Sequence, residues 1–180
     1  MSQVAISGNA SGTGTLTIAA PNTNSNYTLT LPTVTGTVLT NKTAGTVLQV
    51  VQGTSTSGFN TTSTSFTSTS ISASITPSSS SNKVFILVST NITNTAITGD
   101  VTATIYRSST DLSSGSGFNY YQNAGSGSIY QWVPTIMSYL DSPTTTSSTT
   151  YTIYIKRGVA GTAYIGSGIV TTITLMEIAA

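Results

Sequence analysis

The sequence predicts an all-β protein, and three observations support that fold class. Thr, Val, Ile and Tyr, which favour a pleated backbone, are abundant, and 38 of the 180 residues are Thr. Residues that build surface helices, such as Glu, Lys and Gln, are scarce. Five prolines, together with Gly and Asn clusters, divide the chain into segments of strand length. We therefore expect no helix longer than a turn or two.

The first 45 residues carry few apolar side chains, and these occur as short pairs flanked by Thr. The pairs are Leu16 and Ile18, Leu29 and Leu31, and Val38 and Leu39. The segments 15–18 (TLTI) and 28–31 (TLTL) also match at an offset of thirteen residues. A strand-turn unit that cannot bury its own apolar face stacks on a neighbour. Residues 1–45 are thus predicted to form an extended β shaft or attachment segment, with these six residues packed about the axis of an intertwined homotrimer; an irregular hairpin on the main domain is the alternative.

From Val47 the density of apolar residues rises to that of a globular domain, so residues 46–180 are predicted to form a β-sandwich head. Residues 47–52 read as the first strand. In residues 65–76 the apolar side chains change parity, which indicates a bulge or a break. Residues 83–90 (KVFILVST) are apolar on both faces in their middle, as expected for a central strand between two layers.

The second half of the head continues this pattern. Residues 101–107 and 150–156 alternate, with Val, Ala, Ile and Tyr on one face. Residues 129–140 are interrupted by Pro134, which predicts either two strands around a bend or an edge strand. Residues 169–178 form the last strand. About eight strands at regular spacing are typical of a jelly-roll-like β-sandwich.

The charge content predicts assembly. Charged residues make up 5% of the chain, and the net charge is +1. Monomeric β-proteins commonly protect their edge strands with charged residues, Pro or closure of the sheet, and this chain has almost no charges to use. We therefore expect a homo-oligomer with cyclic symmetry, and three copies is the preferred number.

Several segments resemble bacteriophage tail-fibre and related virion fibre proteins. Residues 28–32 (TLTLP) followed by 36–40 (GTVLT) are similar to a motif near the N-terminal end of such proteins, and residues 75–88 and 173–178 are similar to their C-terminal β-domains. The resemblance implies a trimeric virion appendage that holds other virion proteins through its N-terminal segment and uses its head for host-surface adhesion or particle decoration. It transfers no functional residues.

The residue inventory excludes most enzyme classes. The chain has no His and no Cys, which removes imidazole and thiolate catalysis, zinc fingers and iron–sulfur clusters, and no cofactor is expected. Five scattered cations argue against nucleic acid as a partner, and no segment is long and apolar enough for a membrane span. Asp100, Asp111 and Asp141 lie in turn contexts, so a hydrolytic carboxylate pair is disfavoured. Glu177 is expected either to face outward or to be buried beside a cation: Arg107, Lys156 or Arg157.

Aromatic residues are the better functional candidates. Tyr120, Tyr121, Tyr130 and Trp132 lie in a region rich in Gly, Ser and Asn that leads into a strand. The rings of Tyr and Trp combine an apolar face with a polar group, which suits a host surface glycan or protein. Packing in the core or at a subunit interface is the alternative.

The sequence therefore predicts a non-enzymatic virion structural protein, a trimeric fibre or appendage involved in host adhesion. Two other interpretations stay open. One is a capsid or tail decoration protein without a host ligand. The other is an exported bacterial adhesin, which a loss of one ammonia from the intact mass, through a Lys–Asn cross-link, would favour.

Overall fold

The computed structural model of the chain describes residues 11–15, 17, 22, 24, 26, 44–123 and 131–180. The chain divides into two units, Met1–Val38 and Leu39–Ala180. The residues predicted to pack about a trimer axis lie outside the described residues, and so does Tyr130: the axis residues are Leu16, Ile18, Leu29, Leu31, Val38 and Leu39. The shaft, its boundary at residue 45 and the trimer therefore remain predictions.

The second unit is built from β-strands, as the sequence predicts. In its described residues there are eleven strands: β1 (Val47–Ser55), β2 (Phe59–Thr61), β3 (Thr67–Ile75), β4 (Lys83–Asn94), β5 (Asp100–Arg107), β6 (Thr110–Asp111), β7 (Asn119–Gln122), β8 (Val133–Asp141), β9 (Thr149–Arg157), β10 (Ala163–Ile165) and β11 (Thr171–Ile178).

The first sheet contains β1, β2, β4, β8, β10 and β11. Strand β4 is central, because β8 pairs along one of its edges while β11 and β10 pair one after the other along the opposite edge. On the outer side β1 pairs with β11, and β2 pairs with β10. Since β1 with β2, and β10 with β11, each occupy one position, the sheet is four strand positions wide.

The second sheet contains β3, β5, β6, β7 and β9. Strand β9 pairs with β3 on one side and with β5 on the other. The short strands β6 and β7 pair with the opposite edge of β5. Counted by position, the chain therefore visits eight sites in the order 1-8-3-6 in the first sheet and 2-7-4-5 in the second, which is the two-Greek-key order of a jelly roll. The predicted all-β, jelly-roll-like sandwich is confirmed for the head.

The core lies between the two sheets and consists of the inward residues of the alternating strands. Its fully buried large aliphatic side chains are Ile71, Ile75, Ile86, Ile92, Ile105, Ile153, Ile155, Ile165, Ile173 and Leu175. The alternation is the direct result of the period-2 pattern in the sequence, because successive side chains of a strand point to opposite faces.

Individual strands follow the sequence interpretation with some differences. The predicted parity change in residues 65–76 is a register shift between Ser68 and Ser72. The segment containing Pro134 is an edge strand, because β8 pairs with β4 alone within the described residues. The last strand, predicted over residues 169–178, begins two residues later as β11, and Ile169 before it is 40% exposed.

Candidate functional site

The outer face of the first sheet carries a continuous apolar row across all four strand positions. The cross-strand partners are Leu140, Phe85, Met176 and Val50, from β8, β4, β11 and β1 in turn. Leu140 is 47% exposed and Val50 is 58% exposed, while Phe85 and Met176 are half-buried between them. We call these four residues the apolar row.

Two rows follow it toward the C-terminal end of β4 and are free of charge, whereas the row on its other side contains the exposed Lys83 opposite Ile178. The first consists of Ser138, Leu87, Thr174 and Gln52, and the second of Ile136, Ser89, Thr172 and Thr54. Ile136 is 68% exposed, the largest exposed fraction among the apolar residues of this face. Twelve side chains of this face therefore include hydroxyls and one amide but no ion. A neutral, partly apolar sheet face of this kind is typical of a contact surface.

The row explains why the sequence of β4 is apolar on both of its faces. Val84, Ile86 and Val88 point into the core and are fully buried. Phe85 and Leu87 point the other way and are only half-buried, because no second layer of the described chain covers them. The prediction of a central strand is confirmed, but the second layer that the pattern implies is absent from the described residues.

An aromatic pair lies at the opposite end of the same outer face. Trp132 immediately precedes β8, and since Val133 pairs with Ile92, it stands opposite Thr93 of β4. Tyr164 of β10 pairs with Thr93 from the other side. The two ring centroids are 6.2 Å apart at an interplanar angle of 76°, an edge-to-face contact. Asn60 of β2, which is exposed, extends this row beyond Tyr164.

Two buried polar atoms beside this pair have no hydrogen-bond partner within the described part of the chain. They are Oγ1 of Thr93 and Oδ1 of Asn91. The Asn91 side chain is otherwise held, since its Nδ2 donates to the carbonyl oxygen of Ser167 at 3.2 Å. Buried polar groups in native proteins nearly always have partners, so two such atoms on one patch are unusual.

The structure separates the aromatic residues that the sequence placed together. Tyr120 of β7 is 57% exposed and faces outward from the second sheet. Tyr121 points the other way and packs against the core. Trp132 is 36% exposed on the first sheet. Tyr120 and Trp132 therefore belong to different sheets and do not form one site.

Tyr120 has a polar environment of its own. Partial desolvation raises the pKa of its phenol, and the negative charge of Asp100 and a hydrogen bond to that carboxylate raise it further. The carboxylate of Asp100 also accepts a hydrogen bond from the amide of Val159 at 2.9 Å. Asp100 therefore positions a loop and a tyrosine, and it is the first residue of β5 instead of the turn residue that the sequence predicts.

A second aromatic group lies on the outer face of the second sheet. Tyr106 and Tyr154 stack with centroids 3.9 Å apart, and Phe66 meets Tyr106 edge-on at 6.3 Å. The ammonium of Lys156 lies 4.4 Å above the Phe66 ring. Because these rings cover one another's faces, they stabilise the sheet surface and leave little ring area for a ligand.

Glu177 is buried, at 1% exposure, but neither predicted environment is correct, because none of the described cations lies beside its carboxylate. It accepts hydrogen bonds from Ser78 N and Asn82 Nδ2, each at 2.6 Å, from Ser78 Oγ at 2.7 Å and from Gln49 Nε2 at 2.6 Å. Burial raises the pKa of Glu177, but these hydrogen bonds outweigh it and hold the pKa below its ordinary value. The residue fastens the loop before β4 to the last strand.

Asp141 links the two sheets. Nη1 of Arg107 donates to both of its oxygens, at 2.7 and 2.8 Å, and the Tyr151 hydroxyl donates to Oδ2 at 2.7 Å. Burial raises the pKa of Tyr151, and the hydrogen bond to Asp141 raises it further. Asp141 belongs to β8 in the first sheet, whereas both partners belong to the second.

The four acidic residues do not form a hydrolytic pair. Asp111 accepts hydrogen bonds within its own turn from the amides of Ser113 and Gly115, each at 2.9 Å. Glu177 lines a hollow of about 290 Å³ together with Leu48, Gln49 and Ser78, and no second acid of the described chain lines it. Glycoside hydrolysis needs two carboxylates that face one substrate, so this geometry does not support it.

Sequence reasoning missed Tyr164, Thr93 and Asn91. Tyr164 lies in a strand of three residues, too short to show a period, and Thr93 and Asn91 follow the segment assigned to the central strand. The sequence feature that could have identified Thr93 and Asn91 is a run of Asn and Thr that continues the alternating inward and outward pattern of β4.

The described part of the chain contains no helix with the length and hydropathy needed to span a bilayer. The described residues also contain no group of three or more acidic side chains that could hold a metal ion.

No protein-family model and no curated protein sequence matches the chain. Among solved structures it is similar to the infectious bursal disease virus Gt strain, with a TM-score of 0.38 and 14% identity over 82% of this chain and 43% of that chain. It is also similar to the Gx strain of that virus, with a TM-score of 0.35 and 14% identity over the same shares. The chain thus spans less than half the length of those viral chains.

Proposed function

We propose that the chain is a non-enzymatic structural protein of a virus particle, and more specifically a homotrimeric fibre or appendage whose head contacts the host surface. The observation that carries the proposal is the apolar row on the outer face of a jelly-roll head. The jelly roll is an architecture of viral capsid and lectin domains, and its two sheets leave their outer faces free for assembly.

The outer face of the first sheet has the size of an assembly surface. Four strand positions about 4.8 Å apart and roughly six residues of about 3.3 Å, which cover the three neutral rows, give a footprint of roughly 380 Å². A stable interface buries about 800 Å² per partner, so this face supplies a large share of one. The three rows carry no ion, and Lys83 lies at the border of the face, so contact over these rows requires no desolvation of charge.

The direction of the row favours cyclic assembly. It runs from the edge strand β8 to the opposite edge strand β1, so its ends, Leu140 and Val50, lie at the two borders of the sheet. In three copies that turn this face toward a common axis, Leu140 of each copy meets Val50 of the next and the ring closes. The same packing covers Phe85 and Met176 and supplies the second layer that the sequence of β4 implies.

The two ends of the outer face suit different partners. The apolar row lies at the end where β1 begins, and the Trp132–Tyr164 pair lies at the other end, eight residues further along β4. Assembly at one end and host contact at the other agree with an appendage, in which three weak contacts add their strength. All four carboxylates are held by structural hydrogen bonds, which supports a non-enzymatic role.

The test is light scattering of the full chain and of two matched Val-to-Lys variants. Wild type is expected to have three times the 18.4 kDa chain mass. Val50→Lys places a charge in the apolar row and should dissociate the assembly, because a desolvated, unpaired ammonium is costly. Val159→Lys adds the same charge at a residue that is 77% exposed on a loop, and should leave the mass unchanged.

A monomeric wild type would refute the trimer. If Val50→Lys is still a trimer, the contact between the copies lies on another surface. A trimer without any ligand would favour the decoration interpretation over adhesion.

A further inference from the structure

We propose that the patch formed by Trp132, Tyr164, Asn91 and Thr93 is a binding site for an uncharged saccharide, with one hexose ring held against the aromatic pair. The inference deepens the proposed host-contact function and rests on it. Three features of the patch carry the argument: the angle between the rings, the two unpartnered polar atoms, and the absence of charge.

The rings form a corner. With an interplanar angle of 76°, the planes of Trp132 and Tyr164 are nearly perpendicular, so a face of each ring borders the corner beside their contact. A pyranose ring presents C–H groups on its faces and hydroxyls around its rim. An aromatic face matches the first and a neighbouring polar group matches the second.

The polar atoms that a sugar requires are present and unused. Asn91 Oδ1 accepts hydrogen bonds, and Thr93 Oγ1 both donates and accepts them. Both atoms are buried and lack partners among the described residues. An unpaired buried polar atom costs free energy, which a ligand hydroxyl recovers when it binds. Neighbouring hydroxyls on one sugar ring offer the matching donors and acceptors.

Access to these atoms depends on Trp132. Thr93 is fully buried and lies between the two rings across the sheet, whereas the indole beside it is 36% exposed. Trp132 precedes the first paired residue of β8. Rotation of this partly exposed side chain about its own bonds uncovers Thr93 and leaves the strand in place.

The absence of ions selects the class of ligand. The row contains Trp132, Thr93, Tyr164 and Asn60, and Asn91 is paired with Pro134. None of these side chains is charged. A sialic acid, a uronic acid or a phosphorylated sugar would bring an anion without a counter-charge, so a neutral hexose or N-acetylhexosamine fits better.

The experiment uses the full chain and four probes: glucose, galactose, mannose and N-acetylglucosamine at millimolar concentration. Trp132 is the single tryptophan of the chain, so its fluorescence reports on this patch alone. At least one probe is expected to give a saturable fluorescence change and saturation-transfer NMR signals on its ring protons. No response from any of the four probes in either measurement overturns the inference.

Two tyrosine variants locate the site. Tyr164→Ala retains the fluorophore and should weaken binding at least tenfold, which corresponds to about 1.4 kcal/mol. Tyr120→Ala removes an exposed tyrosine from the second sheet and should change nothing. If Tyr120→Ala abolishes binding and Tyr164→Ala does not, the saccharide binds elsewhere and the assignment is wrong.

Thr93→Val separates a ligand contact from a structural role. Because the hydroxyl is buried without a partner in the described chain, its replacement by a methyl group should raise the thermal unfolding midpoint while weakening saccharide binding about tenfold. A lower unfolding midpoint, or unchanged affinity, contradicts the proposed role of the hydroxyl. Light scattering on the same samples separates the proposals, since a monomer that binds saccharide refutes only the trimer, and a trimer that binds none refutes only this site.

Discussion

Replacement of Glu177 by Gln tests whether the buried carboxylate is a structural anchor. Oε1 accepts three hydrogen bonds, from the amide and the hydroxyl of Ser78 and from Asn82, while Oε2 accepts one from Gln49. In Glu177→Gln an amide group can keep one oxygen toward the three donors. Its nitrogen then faces Nε2 of Gln49, and two donors oppose each other.

Gln49 cannot resolve this conflict by turning its amide. Its Nε2 also donates to the carbonyl oxygen of Thr76 at 2.8 Å, so a flip would place two oxygens against each other there. Hydrogen bonds to a charged group contribute about 1.5–3 kcal/mol each and neutral ones about 1 kcal/mol. Glu177→Gln loses one hydrogen bond and weakens three, and the absence of a buried charge offsets part of this loss. The free energy of unfolding should therefore fall by about 3 kcal/mol.

The assay is thermal unfolding followed by circular dichroism at pH 7 and a fixed protein concentration, because association adds to apparent stability. For a chain of this size about 3 kcal/mol corresponds to a fall of roughly 6–12 °C in Tm. Ser74→Ala is the control, since Ser74 on the second sheet shares only an exposed hydrogen bond with the Thr150 hydroxyl at 2.7 Å, whose loss should cost under about 0.5 kcal/mol. Equal, small effects of both variants would refute the anchor.

The acid range gives a second readout for Glu177. Its pKa in the folded protein is lowered from the ordinary 4.5, so the unfolded chain binds the proton more readily. The stabilisation is therefore fully present above pH 4.5 and is lost as the pH falls through the lower, folded-state pKa. Glu177→Gln should make the decline of stability with acid shallower. The decline should persist in part, because the pKa of Asp111 is also lowered: desolvation raises it, but hydrogen bonds from Ser113, Thr104 and Gly115 outweigh that effect.

Three further predictions follow from other contacts. Tyr151→Phe should lower the free energy of unfolding in urea by about 1–2 kcal/mol, because the Asp141 carboxylate loses a buried donor. Ultraviolet titration of the wild type should show one tyrosine that ionises far above the ordinary pKa of 10.0. Gly53→Ala should lower the free energy of unfolding by more than about 2 kcal/mol, since the added Cβ overlaps the carbonyl oxygen of Ser72 where the two sheets approach. A loss below about 0.5 kcal/mol would contradict this close approach. Gly115→Ala should cost only about 1 kcal/mol, the strain of its φ of 92°, because no atom lies within 4 Å of the added Cβ.

The periodicity of the sequence is sufficient to predict the fold of the head. Strands β5 and β9 alternate without interruption, so the pattern of apolar residues alone identifies which of their side chains point inward. The short strands β2, β6, β7 and β10 were not predicted, because two to four residues cannot display a period. They are specified by pairing with a longer neighbour, which is a property of the assembled sheet.

The partners of Glu177 were beyond sequence reasoning for a different reason. Ser78 and Asn82 are separated from it by 99 and 95 residues, and only the jelly-roll path brings their loop against the last strand. A carboxylate between Met176 and Ile178 indicates burial, but the sequence suggested a cation as its partner. Four neutral donors serve instead, because a chain with five cations in total satisfies a buried charge with its abundant hydroxyls and amides.

Strand β4 connects the fold to the proposed function. In a monomeric sandwich the outward residues of a central strand gain nothing from being apolar, because water covers them. Phe85 and Leu87 nevertheless continue the apolar pattern of Val84 and Ile86, and Phe85 is aligned with apolar partners on both neighbouring strands. Random placement of apolar residues on a surface dominated by Ser and Thr would not align four of them in one cross-strand row. Phe85→Thr keeps β propensity and removes the apolar contact, so it should weaken self-association. The Tm extrapolated to low protein concentration should change little. A large loss of Tm with unchanged association would show that the row serves the fold alone.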